Sequence, residues 1–465
     1  MNFKRIRAVL CLALLAVASG CAVGPAYQRP DVEVPAAFKE TGDWKAAEPQ
    51  DGAPRGPWWT VFADGQLPML EKQVAISNQN LLAAQAQFRG AQAVLQAARA
   101  GGLPTLSGRA AATRSGQGSG TNSQFTAGLD AAWELDLWGR VSKSVEAGEA
   151  NAQASAADLE ALRLSAQGTL AQNYFQLRVA DAQRQLLDET VAGYERSLQL
   201  VNNQYSAGLV AKGDVIQAQA QLKSAQAQAI DAGIQRAQFE HAIALLVGKP
   251  ASSFAIATAP LAMAVPRIPA GVPSRLLERR PDIAAAERRM AAANAQVGVS
   301  RAAAYPTLTL SASAGLQNSV LGNLFTLPSR VWSIGPALAG SLFDAGLRRA
   351  QTEQAIAAYD ASVANYRQVV LGAFQEVEDN LVALRLLEQE AAVQDEAVAA
   401  AEQAVQIALN QYRAGTASYL AVVTAQTTAY SNRRSALDIL RRRLVAAVGL
   451  IKALGGGWDG VLPKP

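Results

Sequence analysis

The chain has 465 residues, of which 50% are hydrophobic and only 17% charged, so it is neither a disordered tail nor a charged linker. Its 42 Lys+Arg against 38 Asp+Glu give +4, and Lys4, Arg5 and Arg7 supply three of those charges; the remaining +1 provides no field to hold nucleic acid. One histidine and two cysteines exclude a His/Cys zinc site, while 97 alanines favour closely packed helices.

The first segment reads as an address. Lys4, Arg5 and Arg7 precede an apolar run from Ala8 to Ala18, then Ser19, Gly20 and Cys21. Eleven apolar residues rise only ~16 Å as a helix, too short for a ~30 Å hydrocarbon layer, so the run predicts a secretory signal over residues 1–20. The small residues ending at Cys21 resemble a bacterial lipobox, which implies acylation of Cys21 as the mature N-terminus. Ala22, in place of an aspartate, points to the outer membrane. Each buried acyl CH₂ contributes ~0.8 kcal/mol, so several chains anchor a protein firmly.

Beyond the signal the chain is written twice. Its 19 prolines leave two long gaps, Thr105–Lys249 and Ala337–Leu462, and cluster within Pro250–Pro281. Because proline breaks helix interiors, the gaps permit very long helices. Asn203-Gln204-Tyr205-Ser206-Ala207-Gly208 is echoed by Asn410-Gln411-Tyr412-Arg413-Ala414-Gly415, and Pro104-Thr105-Leu106-Ser107 by Pro306-Thr307-Leu308-Thr309. Offsets of this size signal duplication of a whole structural unit.

In the first unit, Trp59–Ala100 has helical periodicity through Leu67, Leu70, Val74 and Leu81. Thr105–Arg114 alternates like a strand, Ser115–Asn122 has turn composition, and Gln124–Leu137 alternates again. In that second strand Phe125, Ala127, Leu129, Ala131, Trp133, Leu135 and Leu137 oppose Gln124, Thr126, Asp130, Glu134 and Asp136. The second unit repeats the pattern with Leu308, Leu310, Ala312, Ala314 and Leu316, then with Trp332, Ile334, Leu338 and Leu342. Such strands suit a membrane barrel with lipid outside and water inside, or a half-buried soluble hairpin. Four strands cannot close a barrel, and an open edge in hydrocarbon costs several kcal/mol per unpaired backbone group, so the strands must be shared between chains; three chains supply twelve.

Long helices follow at Gly139–Tyr205 and Gly346–Tyr412, each about 100 Å at 1.5 Å per residue. In the latter Ile356, Tyr359, Val363, Tyr366, Val370, Ala373, Val377, Leu381 and Leu384 form a heptad seam. After turns at Ala207–Gly213 and Ala414–Ser418 the helices return through Leu246 and about Leu454. Strands and turns are therefore opposite ends of a rod.

Several motifs carry a family resemblance. Gly20-Cys21-Ala22-Val23-Gly24-Pro25 with Tyr27 and Pro30, Trp58-Trp59-Thr60-Val61-Phe62, and Val272-Pro273-Ser274-Arg275-Leu276-Leu277-Glu278-Arg279-Arg280-Pro281-Asp282-Ile283 resemble blocks of the outer membrane factor (TolC-like) family. Its OprM/NodT-like lipoprotein branch is the nearest. The resemblance implies a mainly α fold with membrane β: a homotrimeric 12-stranded outer-membrane β-barrel, four strands per chain, continuous with a long periplasmic α-helical barrel. It implies the exit channel of a tripartite efflux pump, with a periplasmic adaptor and an inner-membrane RND-type transporter as partners and no cofactor beyond the lipid on Cys21. A type I protein-secretion duct would share the fold.

On this reading a lipid-anchored equatorial segment spans residues 21–65, a first-repeat helix 66–103, a membrane hairpin 104–138 and a long helical hairpin 139–248. An equatorial connection at 249–273 leads to a second-repeat helix at 274–304, a hairpin at 305–344, a helical hairpin at 345–454 and a tail at 455–465.

No catalytic constellation is visible: Gly248-Lys249-Pro250 lacks the phosphate-loop spacing, and His241 stands alone in a helix. In Glu278-Arg279-Arg280-Pro281-Asp282, Pro281 suits a first helical turn, Asp282 its N-terminus, and the arginines anchor neighbouring segments. Function then belongs to two apertures. Arg109, Asp130, Glu134 and Asp136 are candidates for the barrel lumen. At the helix tips Asp214, Tyr412, Arg413 and Tyr419 are candidates for a periplasmic gate, and the Gly208 and Gly415 turns for adaptor docking. Relatives carry acids near the second tip turn; Thr416-Ala417-Ser418 has none, which implies a weaker latch or one displaced to Asp214.

Overall fold

A computed structural model describes residues 24–31, 34–35, 38–39, 57–118, 120–261, 264–266, 268 and 279–456. Cys21, the signal over 1–20 and signature residues 272–278 lie outside the described residues. The elements run α1 (Leu67–Ser77), α2 (Gln79–Ala100), β1 (Thr105–Gln117), β2 (Gly120–Leu135), α3 (Arg140–Ser206), α4 (Lys212–Leu246), α5 (Pro281–Ala302), β3 (Thr307–Asn318), β4 (Arg330–Ala339), α6 (Leu347–Arg413) and α7 (Tyr419–Ala453). The duplication is exact in helix length: α2 and α5 have 22 residues, α3 and α6 have 67, α4 and α7 have 35. Both long helices start behind a left-handed glycine, Gly139 at φ 75° and Gly346 at φ 91°, where the chain turns from strand to helix.

Three expectations change. The helix over Trp59–Ala100 is broken: a 3₁₀ turn at Trp58–Phe62 precedes α1, and Asn78 separates α1 from α2. Asn78 is extended (ψ 118°), its side-chain oxygen accepts from Asn80 N and Leu81 N, and its Nδ2 donates to Leu246 O at 2.9 Å. It caps one helix while tying it to the end of α4. Gly248 (φ 68°) sits so close that a Cβ there would lie 2.2 Å from the Ser77 carbonyl oxygen. Second, the Ser115–Asn122 stretch is largely ladder, for β1 and β2 pair out to Gln117↔Gly120, with Gly118 (φ 63°) in the tight turn. Cross-strand pairing overrides turn composition here. Third, β2 ends at Leu135 and β4 at Ala339, so Leu137 and Leu342 fall beyond their strands, and α4 begins at Lys212, inside the expected turn.

The sheet is antiparallel in the order β1-β2-β3-β4, leaving β1 and β4 as edges. Its register separates the two faces. Ser107 opposes Asp130, Asp130 opposes Ser313, and Ser313 opposes Ser333; one residue away, Leu106 opposes Ala131, Ala131 opposes Ala312, and Ala312 opposes Ile334. Leu106, Leu129, Trp332, Ile334 and Leu338 are exposed on the apolar face. No described helix is long and apolar enough to cross a membrane.

The main core lies where α1, α3, α5, α6 and α7 meet, around Tyr174, Phe175, Leu177, Ile283, Met290, Tyr366, Val370 and Val377. From Tyr366 to Leu384 the heptad seam is buried; Tyr359 and Val363 are half-buried, and Ile356 is exposed. Arg178 is almost fully buried, with Asp181 Oδ2 at 2.9 Å; Arg236 holds Asp181 Oδ1 at 2.7 Å and donates to Ile256 O at 2.6 Å. Arg178 also donates to Ala257 O at 2.8 Å, so this ionic triad straps the irregular chain after α4 onto α3.

Candidate functional site: the two ends of the rod

At the sheet end, Arg109, Asp130 and Glu134 share the polar face. Arg109 lies diagonally across the ladder from Asp130, at 3.8 Å. Glu134 accepts a bidentate pair from Arg140 at 3.0 and 2.7 Å, joining the strand to the first turn of α3. Asp136 does not belong to the strand face. It lies past the end of β2 and accepts from Val141 N (2.9 Å), Ser142 N (2.7 Å) and Ser142 Oγ (2.6 Å), which satisfies two backbone donors in the first turn of α3. Asp344 does the same for α6, accepting from Gly346 N at 3.1 Å and Arg348 Nε at 2.5 Å. Asp344 was not foreseen; the signal was an acid shortly before a Gly and an Arg, Asp136…Gly139-Arg140 and Asp344…Gly346…Arg348. Indoles mark the same level: Trp133 Nε1 donates to Gly102 O at 2.9 Å, Trp138 Nε1 to Pro306 O at 2.7 Å, and Trp138 stacks on Tyr305 at 4.8 Å.

At the other end, 67 residues away along α3, four helices share a small core of Val201, Val215, Ala218, Ala408, Tyr412, Tyr419 and Val422. The Tyr412 and Tyr419 rings are 5.5 Å apart and almost fully buried. Burial, with smaller contributions from Tyr412, Tyr194 and Asp214, pushes Tyr419 up to about 12. Burial and then the Asp214 carboxylate raise Tyr412. Asp214 sits in the first turn of α4, one residue before Val215 of this core. Arg413 does not join them; it is exposed and has no ion-pair partner among the described residues. Just above, Gln221 Nε2 donates to Tyr194 Oη and Thr427 Oγ1, each at 3.0 Å, and Gln426 Nε2 donates to Ser197 Oγ at 3.0 Å. These bonds lock the two helical hairpins together.

Gly208 (φ 76°) and Gly415 (φ 71°) form the exposed tip turns, with open space around each Cα. His241 is exposed on α4. The Arg280 prediction holds in detail: Pro281 opens α5, and Arg280 pairs with Asp282 and Glu376, each at 2.6 Å, and donates to Ala453 O at 3.1 Å. Among the described residues no group of His, Cys, Asp and Glu could hold a metal ion.

Glu71 was missed by sequence reasoning. It occupies the inward stripe of α1 with Leu67, Leu70 and Val74, is fully buried, and among the described residues neither carboxylate oxygen has a hydrogen-bond partner.

The profile of the outer membrane efflux protein family matches residues 70–249 and 272–456. The cation efflux system protein CusC of Escherichia coli O6:H1 is 32% identical over 461 residues, covering 97% of this chain and 98% of the relative. The solvent efflux pump outer membrane protein SrpC of Pseudomonas putida is also 32% identical, covering 99% of each. Among solved structures, the open state of the Neisseria gonorrhoeae MtrE outer membrane channel superposes with a TM-score of 0.85 at 30% identity, over 94% of this chain and 98% of that one. Matched across both repeats and end to end, the chain belongs to the outer membrane efflux protein family.

Proposed function

We propose that three copies of this chain close one twelve-stranded barrel in the outer membrane and continue it as an α-helical duct through the periplasm, forming the passive exit channel of an efflux pump. The observation that carries this reading is the sheet itself. One face is mainly apolar and the other mainly polar, while the outer edges of β1 and β4 have no partner strand among the described residues, and neighbouring copies can satisfy both edges in lipid. Arg109, Asp130 and Glu134 then line a wet lumen. A periplasmic adaptor engages the exposed Gly208 and Gly415 turns, and an inner-membrane RND-type transporter supplies the energy. Cys21 carries the lipid anchor; fatty-acid labelling of wild type but not of Cys21→Ala is expected, and equal labelling of the two would refute it.

The closed gate is the helix-tip core. The buried tyrosine pair holds the hairpins together, Asp214 lies in the first turn of α4 next to this core, and Arg413, exposed in the single chain, is available to a neighbouring copy. Adaptor binding opens it by favouring the dilated arrangement. Planar-bilayer recordings test pore and gate together. The wild-type channel should conduct weakly, and Asp214→Ala and Arg413→Ala should each raise single-channel conductance severalfold. Unchanged conductance in both variants would overturn the gate, and the absence of any conductance would overturn the pore.

A further inference from the structure

The apolar face of the sheet carries two charges and both are positive. Following the register along its four strands, this face presents Leu106 to Arg114 on β1, Ser123 to Leu135 on β2, Leu308 to Asn318 on β3 and Arg330 to Leu338 on β4, at alternate positions. Arg114 and Arg330 are the ionisable residues on it, and no carboxylate shares it. Both lie at the hairpin end, away from the helices: Arg330 opposes Leu316, and Arg114 opposes Ser123 beside the β1–β2 turn. Both are exposed, and among the described residues neither has an ion-pair partner, whereas Arg109 on the polar face is paired with Asp130. Below them the apolar band from Leu308 to Leu316 runs about 27 Å along the strand, or about 20 Å of membrane depth at the usual tilt. Trp332, 77% exposed, and Phe125 stand on the same face at this level.

An unpaired arginine at mid-membrane is expensive, but at the outer margin of the apolar band its guanidinium meets headgroups. We propose that Arg114 and Arg330 bind the phosphates of an outer-leaflet glycolipid whose acyl chains lie against Trp332 and the apolar band beneath, giving each trimer a belt of six arginines. This rests on the barrel reading, which sets the hairpin tips outward. The planar guanidinium fork matches phosphate bidentately, and the absence of any acid on this face leaves that charge available. The β1 and β4 edges meet between copies, so Arg330 of one copy and Arg114 of the next stand on adjacent strands and can share one lipid.

Titration of the purified detergent-solubilised channel with bisphosphorylated lipid A, read by native mass spectrometry, tests this. Arg114→Gln/Arg330→Gln should bind at least tenfold more weakly than wild type. Arg196→Gln/Lys223→Gln, which removes two charges from the exposed helical surface, should bind as wild type does. Dephosphorylated lipid A should bind wild type no better than the intact lipid binds the arginine variant, and millimolar inorganic phosphate should not displace the lipid. Equal binding by the arginine variant and wild type would overturn the assignment, as would equal affinity for the dephosphorylated lipid or displacement by inorganic phosphate. Because the same spectra report the number of chains, and conductance is measured separately, an intact conducting channel indifferent to the phosphates sinks this inference alone.

Discussion

Replacing Gly315 with valine is expected to reduce assembled channel in the outer membrane by more than tenfold. Gly315 on β3 opposes Gly128 on β2, at the seam joining the two repeats. A Cβ at Gly315 would lie 2.6 Å from Ala127 O and 2.8 Å from Gly128 Cα. Those are backbone atoms within the ladder and cannot swing aside, so the register itself must give way. A slip of one residue would turn the apolar set into the lumen. Gly335 on β4 is the control: it lies on the same polar face, opposite Ser311, but has nothing within 4 Å of its Cβ position. Gly335→Val should assemble normally. Membrane fractionation with unheated gel electrophoresis reads both variants, and wild-type levels for Gly315→Val would show that the close approach is not required.

The second large effect concerns Glu71. Burial, with no compensating partner among the described residues, pushes its carboxyl up from 4.5 to about 9. A raised folded-state pKa means that the contribution to stability is full below pH 4.5 and is lost as pH climbs from 4.5 towards 9. At pH 7 the difference from 4.5 is 2.5 units, on the order of 3 kcal/mol per chain. Wild-type thermal stability should therefore fall steadily between pH 5 and pH 9. Glu71→Gln should flatten that slope, and Glu71→Leu, completing the stripe of Leu67, Leu70 and Val74, should raise the midpoint further at pH 8. Parallel pH profiles for wild type and Glu71→Gln would refute the unpaired burial of this carboxyl.

Much of this architecture was legible in the residues because it is periodic. Alternation in Gln124–Leu135 reports which side chains share a face, and the three–four spacing from Tyr366 to Leu384 reports the buried seam. What was not legible depends on partners distant in the chain. Asn78 looks like one more position in a helical pattern, and it becomes a break through its bond to Leu246, 168 residues away. The Ser115–Asn122 run has turn composition, yet ladder pairing extends the strands through most of it. Glu71 reads as an ordinary helical acid, and only tertiary packing of α1 makes it a buried one. At the tip, Tyr412 and Arg413 are adjacent in sequence, but successive helical residues point about 100° apart, so one enters the tyrosine core and the other faces outward. Asp136 continues the strand alternation by parity alone and is claimed by the α3 donors instead.

The whole account depends on one polypeptide supplying a third of a closed wall. Native mass spectrometry of the detergent-extracted protein measures this directly. The expected species is three chains, with no stable single-chain form that keeps the β-sheet. A monodisperse one-chain particle, folded and stable in buffer without detergent, would contradict it.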